Sequence, residues 1–276
     1  MSQLGQRLMA GRATRRLPPC AAFILGLAAM AGLAASFDVG AASIQIAPVR
    51  VVLQPQRPVA SLVVTNDGAD EIAMQAEVMS WSQKDRQDVH APTREVLVNP
   101  AIFRIPAGGR QIVRLGLQAP ALAEERSYRI FLRQLPRDRA PSDGNGTGSE
   151  LRTLLQLVLP IFVPPSSPAG APSVAWHLRA PDAGAQPAAS APALTIDNLG
   201  REHLQVTQVT VRHADGRELL RQRMSVYALP QQSAALPVAL PPLPAGTRLQ
   251  FEAQTDSEAP LPPVFLQVPG ATAATP

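Results

Sequence analysis

The sequence predicts an all-β protein with two sandwich domains behind an N-terminal export signal. From residue 43 onward, short stretches alternate apolar and polar residues, and no convincing helical period is present. Turn-forming sequences such as DGAD and PAGG separate these stretches. The chain has 276 residues, of which 46% are hydrophobic, so it is long and apolar enough to form one or two buried cores.

Residues 1–42 have the order of parts of a secretory signal peptide. Four arginines precede the apolar run CAAFILGLAAMAGLAA, which leads to the small-residue stretch VGAAS. The run is short for a membrane span, which favours cleavage after Ala41 or Ala42 over an uncleaved anchor. We therefore expect an exported protein that resides in the periplasm.

Removal of this segment changes what charge and cysteine content imply. Residues 1–42 carry four arginines and one aspartate, hence +3 of the net charge of +4, and the mature chain is close to neutral. Because it also lacks a Lys/Arg run, nothing favours nucleic acid as a partner. Cys20, the only cysteine, is removed as well, so the mature protein has no disulfide and depends on its cores for stability.

The first domain is predicted over residues 43–165. Ile72, Met74, Ala76 and Val78 illustrate its pattern, because they share one face of a predicted strand. Seven or eight strands in roughly 120 residues are typical of an immunoglobulin-like sandwich. The predicted strands are SIQIAPVRVV, ASLVVTND, EIAMQAEVMSW, REVLVNP, AIFRIP, RQIVRLGLQ, RSYRIFLRQL and SELRTLLQLVLPIFVPP.

The second domain is predicted over residues 166–276, and its boundary with the first lies within the Pro/Ser/Gly-rich hinge VPPSSPAGAPS. The sequence HADGRE supplies an Asp-Gly turn of the kind that closes a β-hairpin. Residues 180–193 are predicted to form an Ala/Pro-rich loop, and GATAATP a mobile C-terminal tail. The predicted strands are VAWHLRA, ALTIDN, LQVTQVTVRHADGRELL, MSVYALP, TRLQFEAQT and PVFLQV.

The sequence lacks the parts of a catalytic or metal site. His90, His177, His203 and His213 have no metal-binding spacing, so surface or capping roles are expected for them. The stretch GNGTG lacks the Lys-Ser/Thr of a phosphate-binding loop, and no serine lies in a G-x-S-x-G sequence. We predict that the protein is not an enzyme and needs no metal, cofactor or small-molecule substrate.

The last strand of the first domain, 149–165, is apolar on both faces. Leu151, Thr153, Leu155 and Leu157 lie on one side of the pleat, with further apolar residues on the other. The strand follows fifteen polar or small residues, PRDRAPSDGNGTGSE, which marks it as an edge strand. Either it pairs with another chain by strand addition, or the second domain or a dimer mate covers its second face.

Arg50 lies in register with Ile44, Ile46, Pro48 and Val52 on one face of the first strand. A charge on a face that should be buried costs free energy unless a carboxylate meets it. Arg50 is therefore either a strand-edge side chain that reaches solvent or an anion anchor in a cleft.

The ordered set of motifs resembles the periplasmic pilus-assembly chaperones, the PapD-like family of the chaperone–usher pathway. In the first domain, APVRVVL, LVVTNDG, NPAIFRIPAGGRQIVRL, SYRIFLRQLP and LLQLVLPIFVPP follow the family's order. In the second, LTIDNLGREHLQVTQV and VYALPQQS resemble its short signatures. The GREH and LPIFVPP forms are similar to the archaic branch of the family.

The resemblance implies a chaperone that binds pilin subunits, caps them by donor-strand complementation and delivers them to an outer-membrane usher. It implies that Leu151, Thr153, Leu155 and Leu157 insert into the open groove of the pilin. It also implies that Arg50 holds the C-terminal carboxylate of the pilin. Self-association of the free protein through the same strand stays open. The alternative function is a periplasmic immunoglobulin-like module for carbohydrate or peptide, which needs none of these leucines outside its core.

Three positions depart from the family's pattern or bear on it. The lysine that assists the family's anchor arginine is replaced by Pro160, so Arg129 and Arg133 on the adjacent strand are candidate auxiliary anchors. Pro164 occupies the place of the interdomain arginine, so the domains are expected to be joined differently. Pro100 is a candidate for the cis proline of the family's turn.

Overall fold

Alternating apolar and polar residues build two β-sandwiches in the computed structural model of this chain. All of the residues it describes belong to one unit, 42–276. The predicted signal peptide, the polar stretch before residue 151, most of the Ala/Pro-rich loop and residues 271–276 of the tail lie outside the described residues. The described ranges are 44–120, 122–136, 153–168, 170–180, 192–257 and 259–270.

The first sandwich is formed by two sheets whose inner faces enclose one core. One sheet has the strand order β1-β3-β8-β6, and the other has the order β2-β10-β9-β4-β5, with β7 pairing with β4. The strands are β1 (Ile44–Ala47), β2 (Val51–Val52), β3 (Val59–Asn66), β4 (Ile72–Lys84), β5 (Gln87–Pro92), β6 (Val96–Asn99), β7 (Ile102–Ile105), β8 (Arg110–Leu117), β9 (Arg126–Gln134) and β10 (Gln156–Val163).

The core of this sandwich follows the period-2 pattern of the sequence. On β4, the four predicted inward residues Ile72, Met74, Ala76 and Val78 are buried, with exposures between 0% and 7%. They belong to one apolar cluster with residues of the facing sheet, such as Leu62 on β3. The predicted core face of this strand is therefore confirmed.

Strand β5 is one of two elements that the sequence did not indicate, and the other is Ser233–Leu236 in the second sandwich. Strand β5 forms a hairpin with β4 through a turn at Asp85 and Arg86, whose φ angles of 51° and 65° lie in the left-handed region. This turn contains no glycine, so it lacks the usual sequence signal for a tight hairpin. The first predicted strand also differs, because it divides into β1 and β2 around Arg50.

The second sandwich has the same construction with fewer strands. One sheet has the order β11-β12-β15, and the other has the order β14-β13-β16-β17. The predicted Asp-Gly turn joins β13 to β14, with Gly216 at a φ of 89°. The strands are β11 (Val174–Arg179), β12 (Ala193–Asn198), β13 (Leu204–His213), β14 (Glu218–Ala228), β15 (Ser233–Leu236), β16 (Arg248–Thr255) and β17 (Val264–Gln267).

A buried asparagine fixes the same kind of loop in each sandwich. The Asn66 side chain donates to the carbonyl oxygens of Asp70 at 2.7 Å and Ile105 at 3.1 Å, and its oxygen accepts from the backbone N–H of Gly68 at 3.0 Å. Asn198 makes the corresponding bonds, two donated to backbone carbonyls and one accepted from a backbone N–H two residues ahead. These side chains thus supply hydrogen bonds to backbone groups at strand ends and in the adjoining loops.

Among the described residues, no helix is long and apolar enough to span a membrane.

We expect Asn66→Ala to destabilise the first sandwich by about 2 kcal/mol or more, because it leaves buried carbonyl groups without donors. Urea unfolding followed by far-ultraviolet circular dichroism would measure the change. The exposed residue Gln45 on β1 offers a control. Gln45→Ala should change the unfolding free energy by less than about 0.5 kcal/mol. Equal midpoints for the two variants would contradict the structural role of Asn66.

Candidate functional site

The described part of β10 is an edge strand along most of its length. Its residues pair antiparallel with β9 from Gln156 to Val163. On its other side, β2 pairs with it in parallel only at Ile161 and Phe162. From Gln156 to Pro160, the edge that faces away from β9 therefore has no partner among the described strands. The predicted edge position is confirmed for this segment.

The strand is shorter than the sequence predicted. It begins at Gln156 rather than at residue 149, and Thr153 and Leu155 precede it as irregular backbone. Gln134 ends β9 and marks this limit, because its backbone N–H donates to the Leu155 carbonyl at 2.8 Å and its side-chain oxygen accepts from the Leu155 N–H at 3.3 Å. Because β9 ends at Gln134, it has no backbone groups left to pair with residues that precede Leu155. Leu151 lies outside the described residues.

The two faces of β10 have different neighbours. Leu157 is half-buried against the core of its own sandwich, on the same side as the fully buried Ile161. Phe162 points to the opposite side, where it packs in a small cluster that includes Leu229 of the second sandwich. At Phe162, the second sandwich therefore covers the second face of β10. This agrees with the interpretation in which the second domain, and not another chain, covers that face. Leu154, just before the strand, is 50% exposed.

An aromatic cluster joins the two sandwiches above β10. Phe162 lies near Trp81, with ring centroids 6.1 Å apart, and Tyr227 of the second sandwich makes an edge contact with Trp81 at 5.4 Å. Gln83 forms hydrogen bonds across the same junction. Its side chain donates to the Tyr227 carbonyl at 2.7 Å and accepts from the Leu229 N–H at 3.0 Å. Both aromatic packing and hydrogen bonds thus fix the two sandwiches together at this junction.

His203 lies at the centre of this junction. Its ring stacks on Phe162, with centroids 3.5 Å apart and an interplanar angle of 4°. Its Nδ1 lies 2.8 Å from a carboxylate oxygen of Glu125, and its Nε2 lies 3.6 Å from Oδ2 of Asp256. The surface or capping role expected for this histidine is wrong, since only 13% of its side chain is exposed. A lone histidine in a loop gave no periodic signal by which burial could be recognised.

The two carboxylates control the protonation of His203. Burial by itself lowers the pKa of His203, but the nearby carboxylates of Asp256 and Glu125 outweigh it and raise the pKa above the ordinary value of 6.5. Burial tends to raise the pKa of Asp256, whereas the proximity of His203 and hydrogen bonds from the Gln205 N–H and Arg50 lower it to about 2. Asp256 is therefore ionised at neutral pH, and a protonated His203 is favoured between the two carboxylates.

Arg50 projects into the same junction from the segment between β1 and β2. Its Nη1 donates to Oδ2 of Asp256 at 2.7 Å, and its Nη2 donates to the Tyr227 hydroxyl at 3.2 Å and to the side-chain oxygen of Gln205. One third of the Arg50 side chain is exposed. The carboxylate that the sequence analysis required for Arg50 is thus present, and it belongs to the second sandwich. A cavity of about 180 Å³ borders Arg50, Asp256 and His203.

The two candidate auxiliary arginines differ in position. Arg129 lies directly opposite Pro160 in the β9–β10 register. Its guanidinium stacks on Trp81 at 3.7 Å and lies 5.7 Å from the Tyr227 ring, the same distance from that ring as the guanidinium of Arg50. Arg133 lies four residues further along β9, and its partners are the side chains of Glu77 and Gln156. The structure therefore brings Arg129, and not Arg133, to the ring that Arg50 contacts.

Position 164 is a proline and supplies no positive charge to the junction, so other contacts join the sandwiches there. The Glu125 N–H donates to the Arg201 carbonyl at 2.9 Å, and the Arg201 guanidinium donates to the Pro168 carbonyl at 2.6 Å. Together with His203, these contacts connect the segment before β9 to the loop between β12 and β13. The Asn99–Pro100 peptide bond is cis.

Comparison with known proteins agrees with this architecture. Residues 43–169 match the family described as pili and flagellar-assembly chaperone, PapD N-terminal domain. The first sandwich therefore matches the N-terminal domain of the PapD-like pilus-assembly chaperones. A search of curated protein sequences finds no significant match.

Solved structures of this family share the fold over most of the chain. A chain of the CsuC–CsuE chaperone–tip adhesion subunit complex, from the archaic chaperone–usher Csu pili of Acinetobacter baumannii, is 15% identical with a TM-score of 0.57, over 82% of this chain and 98% of that chain. The E. coli chaperone DraB is 20% identical with a TM-score of 0.50, over 82% and 96%. A chain of the Salmonella enterica SafA pilin complex with the SafB chaperone is 16% identical with a TM-score of 0.51, over 82% and 97%. At these identities, the likeness establishes the common fold.

We expect the contribution of His203 to stability to decrease as the pH rises. Because the pKa of His203 is raised in the folded protein, its contribution is fully present below about pH 6.5 and is lost as the pH rises through the folded-state pKa. Urea midpoints measured between about pH 5.5 and about pH 8.5 would report this loss.

His203→Gln should flatten this part of the pH profile, whereas His213→Gln, at the β13 hairpin, should retain it. A His203→Gln variant with the same pH dependence as the wild type would show that another group is responsible.

Proposed function

We propose that the protein is a periplasmic chaperone that binds pilin subunits, completes their sheet with its own strand and delivers them to an outer-membrane usher. The observation that carries the proposal is the open edge of β10 beside Arg50 in the cleft between the sandwiches. An open strand edge offers backbone hydrogen bonds to a partner strand, and a cationic side chain nearby offers an anchor for its terminal carboxylate.

The edge of β10 suits a partner that extends the sheet. Leu157 packs on its own core but remains half-buried, so a strand added at the free edge would cover its exposed side. In the extended form that the sequence predicts, Leu151, Thr153 and Leu155 share the side of Leu157, and a partner strand would supply the ladder that β9 does not provide there. Full burial of Leu151 and Leu155 would contribute about 3 to 6 kcal/mol before the cost of ordering them.

Arg50 is suited to hold the C-terminal carboxylate of the partner. A fixed anchor for a chain end sets the register in which the partner strand pairs, and a shift of one residue would turn every side chain to the wrong face. Arg129 is the better auxiliary anchor, because it stands opposite Pro160 and shares the Tyr227 ring with Arg50. Both arginines have a carboxylate partner, Asp88 for Arg129 and Glu77 for Arg133, so their positions distinguish them.

Two further observations support the proposal. The neighbouring structures include chaperone complexes with a pilin, SafA, and with a tip adhesion subunit, CsuE. The complex that contains CsuE comes from an archaic system, which agrees with the GREH and LPIFVPP sequences of this chain. Export by the N-terminal segment would place the chaperone in the periplasm.

Co-purification with a pilin subunit tests this function. We expect Leu155→Asp to abolish retention of a subunit with an intact C-terminus, because a carboxylate cannot enter an apolar groove at low cost. Leu154→Asp is the matched control, since Leu154 lies one residue away on the opposite side of an extended chain and is half exposed. It should retain the subunit.

Arg50→Ala should weaken retention about tenfold or more, because a hydrogen bond to a charged group contributes about 1.5 to 3 kcal/mol. Arg248→Ala, on β16 of the second sandwich, is its control. Circular dichroism would confirm that each variant folds. If folded Leu155→Asp and Arg50→Ala both keep the subunit at the wild-type level, the site assignment fails, and a peptide- or carbohydrate-binding module becomes the better interpretation.

A further inference from the structure

The proposed anchor is occupied in the free protein by a side chain of its own second sandwich. Oδ2 of Asp256 accepts a hydrogen bond from Arg50 at 2.7 Å, and Oδ1 accepts from the Gln205 N–H at 2.8 Å. Asp256 directly follows β16, so a short, well-fixed segment presents it. Its side chain is 20% exposed, and it borders the cavity beside Arg50.

This occupation limits what Arg50 can offer to a partner. A guanidinium has five N–H groups, and three of the four on Nη1 and Nη2 already donate, to Asp256, Tyr227 and Gln205. A second carboxylate that approached Arg50 would also meet the negative charge of Asp256, which is ionised because its pKa is about 2. Two carboxylates bound to the same guanidinium repel each other. The incoming carboxylate and Asp256 therefore compete for Arg50.

Asp256 has a second cation within reach when it leaves Arg50. Nε2 of His203 lies 3.6 Å from the same Oδ2 atom, which is slightly longer than a hydrogen bond. A small movement of the carboxylate toward His203 would close this distance, while the bond from the Gln205 N–H could persist. The other groups that face His203 are the carboxylate of Glu125 and the rings of Phe162 and Tyr227. Asp256 can thus exchange one positive partner for another without becoming an unpaired buried charge.

We infer that Asp256 is an internal competitor for Arg50, which a client's C-terminal carboxylate must displace, and that Asp256 thereby sets the affinity and selectivity of the anchor. This inference rests on the proposed function. It makes the cleft selective for partners whose chain end is a free carboxylate, because only such a group replaces the charge that Asp256 withdraws. A partner whose chain continues past the anchor gains nothing from Arg50 and leaves the internal pair intact.

The test uses the pilin subunit that co-purifies with the wild-type chaperone, in two forms. One form has its native C-terminus, and the other carries a Gly-Ser-Gly extension that moves the carboxylate away from the anchor. Asp256→Asn removes the competing charge but keeps an oxygen for the Gln205 N–H. We expect this variant to bind the native subunit about five- to tenfold more tightly than the wild type, and the extended subunit equally well.

Two further variants separate the contributions. Glu252→Gln, on β16, removes a carboxylate that pairs with Arg212 instead, and it should leave both affinities unchanged. The double variant Arg50→Ala/Asp256→Asn should lose the gain seen with Asp256→Asn alone, since the gain acts through Arg50.

A measurement on the wild-type protein covers the case in which Asp256→Asn does not fold. The carboxyl carbon resonance of Asp256, followed by NMR, should shift when the native subunit binds and stay unchanged with the extended subunit.

The outcomes distinguish this inference from the proposed function. If Arg50→Ala weakens binding but Asp256→Asn does not strengthen it, or if the Asp256 resonance does not respond to the native subunit, Asp256 is no competitor while the anchor stands. If Arg50→Ala has no effect and the extended subunit binds as tightly as the native one, the anchor itself fails. If no subunit co-purifies with the wild type, the proposed function fails before the competition is tested.

Discussion

The arrangement of the two sandwiches depends on a row of charges that alternate in sign across their junction. Glu125, His203, Asp256 and Arg50 follow one another at distances of 2.8, 3.6 and 2.7 Å between the facing atoms. Only 3% of the Glu125 side chain is exposed, so this carboxylate would be costly without a cation beside it. Two members come from each sandwich, and each is neutralised by the other sandwich. The row of charges therefore stabilises the junction between the sandwiches, and it also stabilises the ionised form of each of its members.

Strand β10 serves three neighbours at once because its side chains and its backbone point in different directions. Leu159 and Ile161 fill the core of the first sandwich, and Phe162 on the opposite face packs against His203 and the second sandwich. The backbone edge from Gln156 to Pro160 stays open. Contacts on both faces of β10 hold the strand in place. A partner strand therefore meets an edge that is already extended, and ordering this segment adds no cost to binding. Further toward the N-terminus the same advantage is absent, since Leu155 already lies beyond β9.

The sequence revealed the layers of the fold more reliably than the contacts between distant segments. Ile72, Met74 and the alternating residues around them identify a strand because the pattern is local. Arg50 was identifiable as unusual because a charge interrupts an apolar register, but Asp256 lies 206 residues away and no local pattern links the two. The hairpin at Asp85 was missed because its left-handed residues include no glycine. Sequence periodicity reports which face is buried, and it does not report what buries that face.

Two prolines, Pro160 on β10 and Pro164 directly after it, bear on the composition of the junction. Where the resemblance to the PapD-like family predicts a lysine and an arginine on the last strand, this chain has Pro160 and Pro164, and the cationic roles lie elsewhere. Arg129 stands across the ladder from Pro160, and His203 takes the position between Glu125 and Asp256. The strand itself is then free of charge along the segment that would meet an apolar groove. An imidazole, unlike a guanidinium, loses its charge near neutral pH, so the cation that receives Asp256 depends on the proton concentration. Joint stability and access to Arg50 are therefore coupled through the same carboxylate.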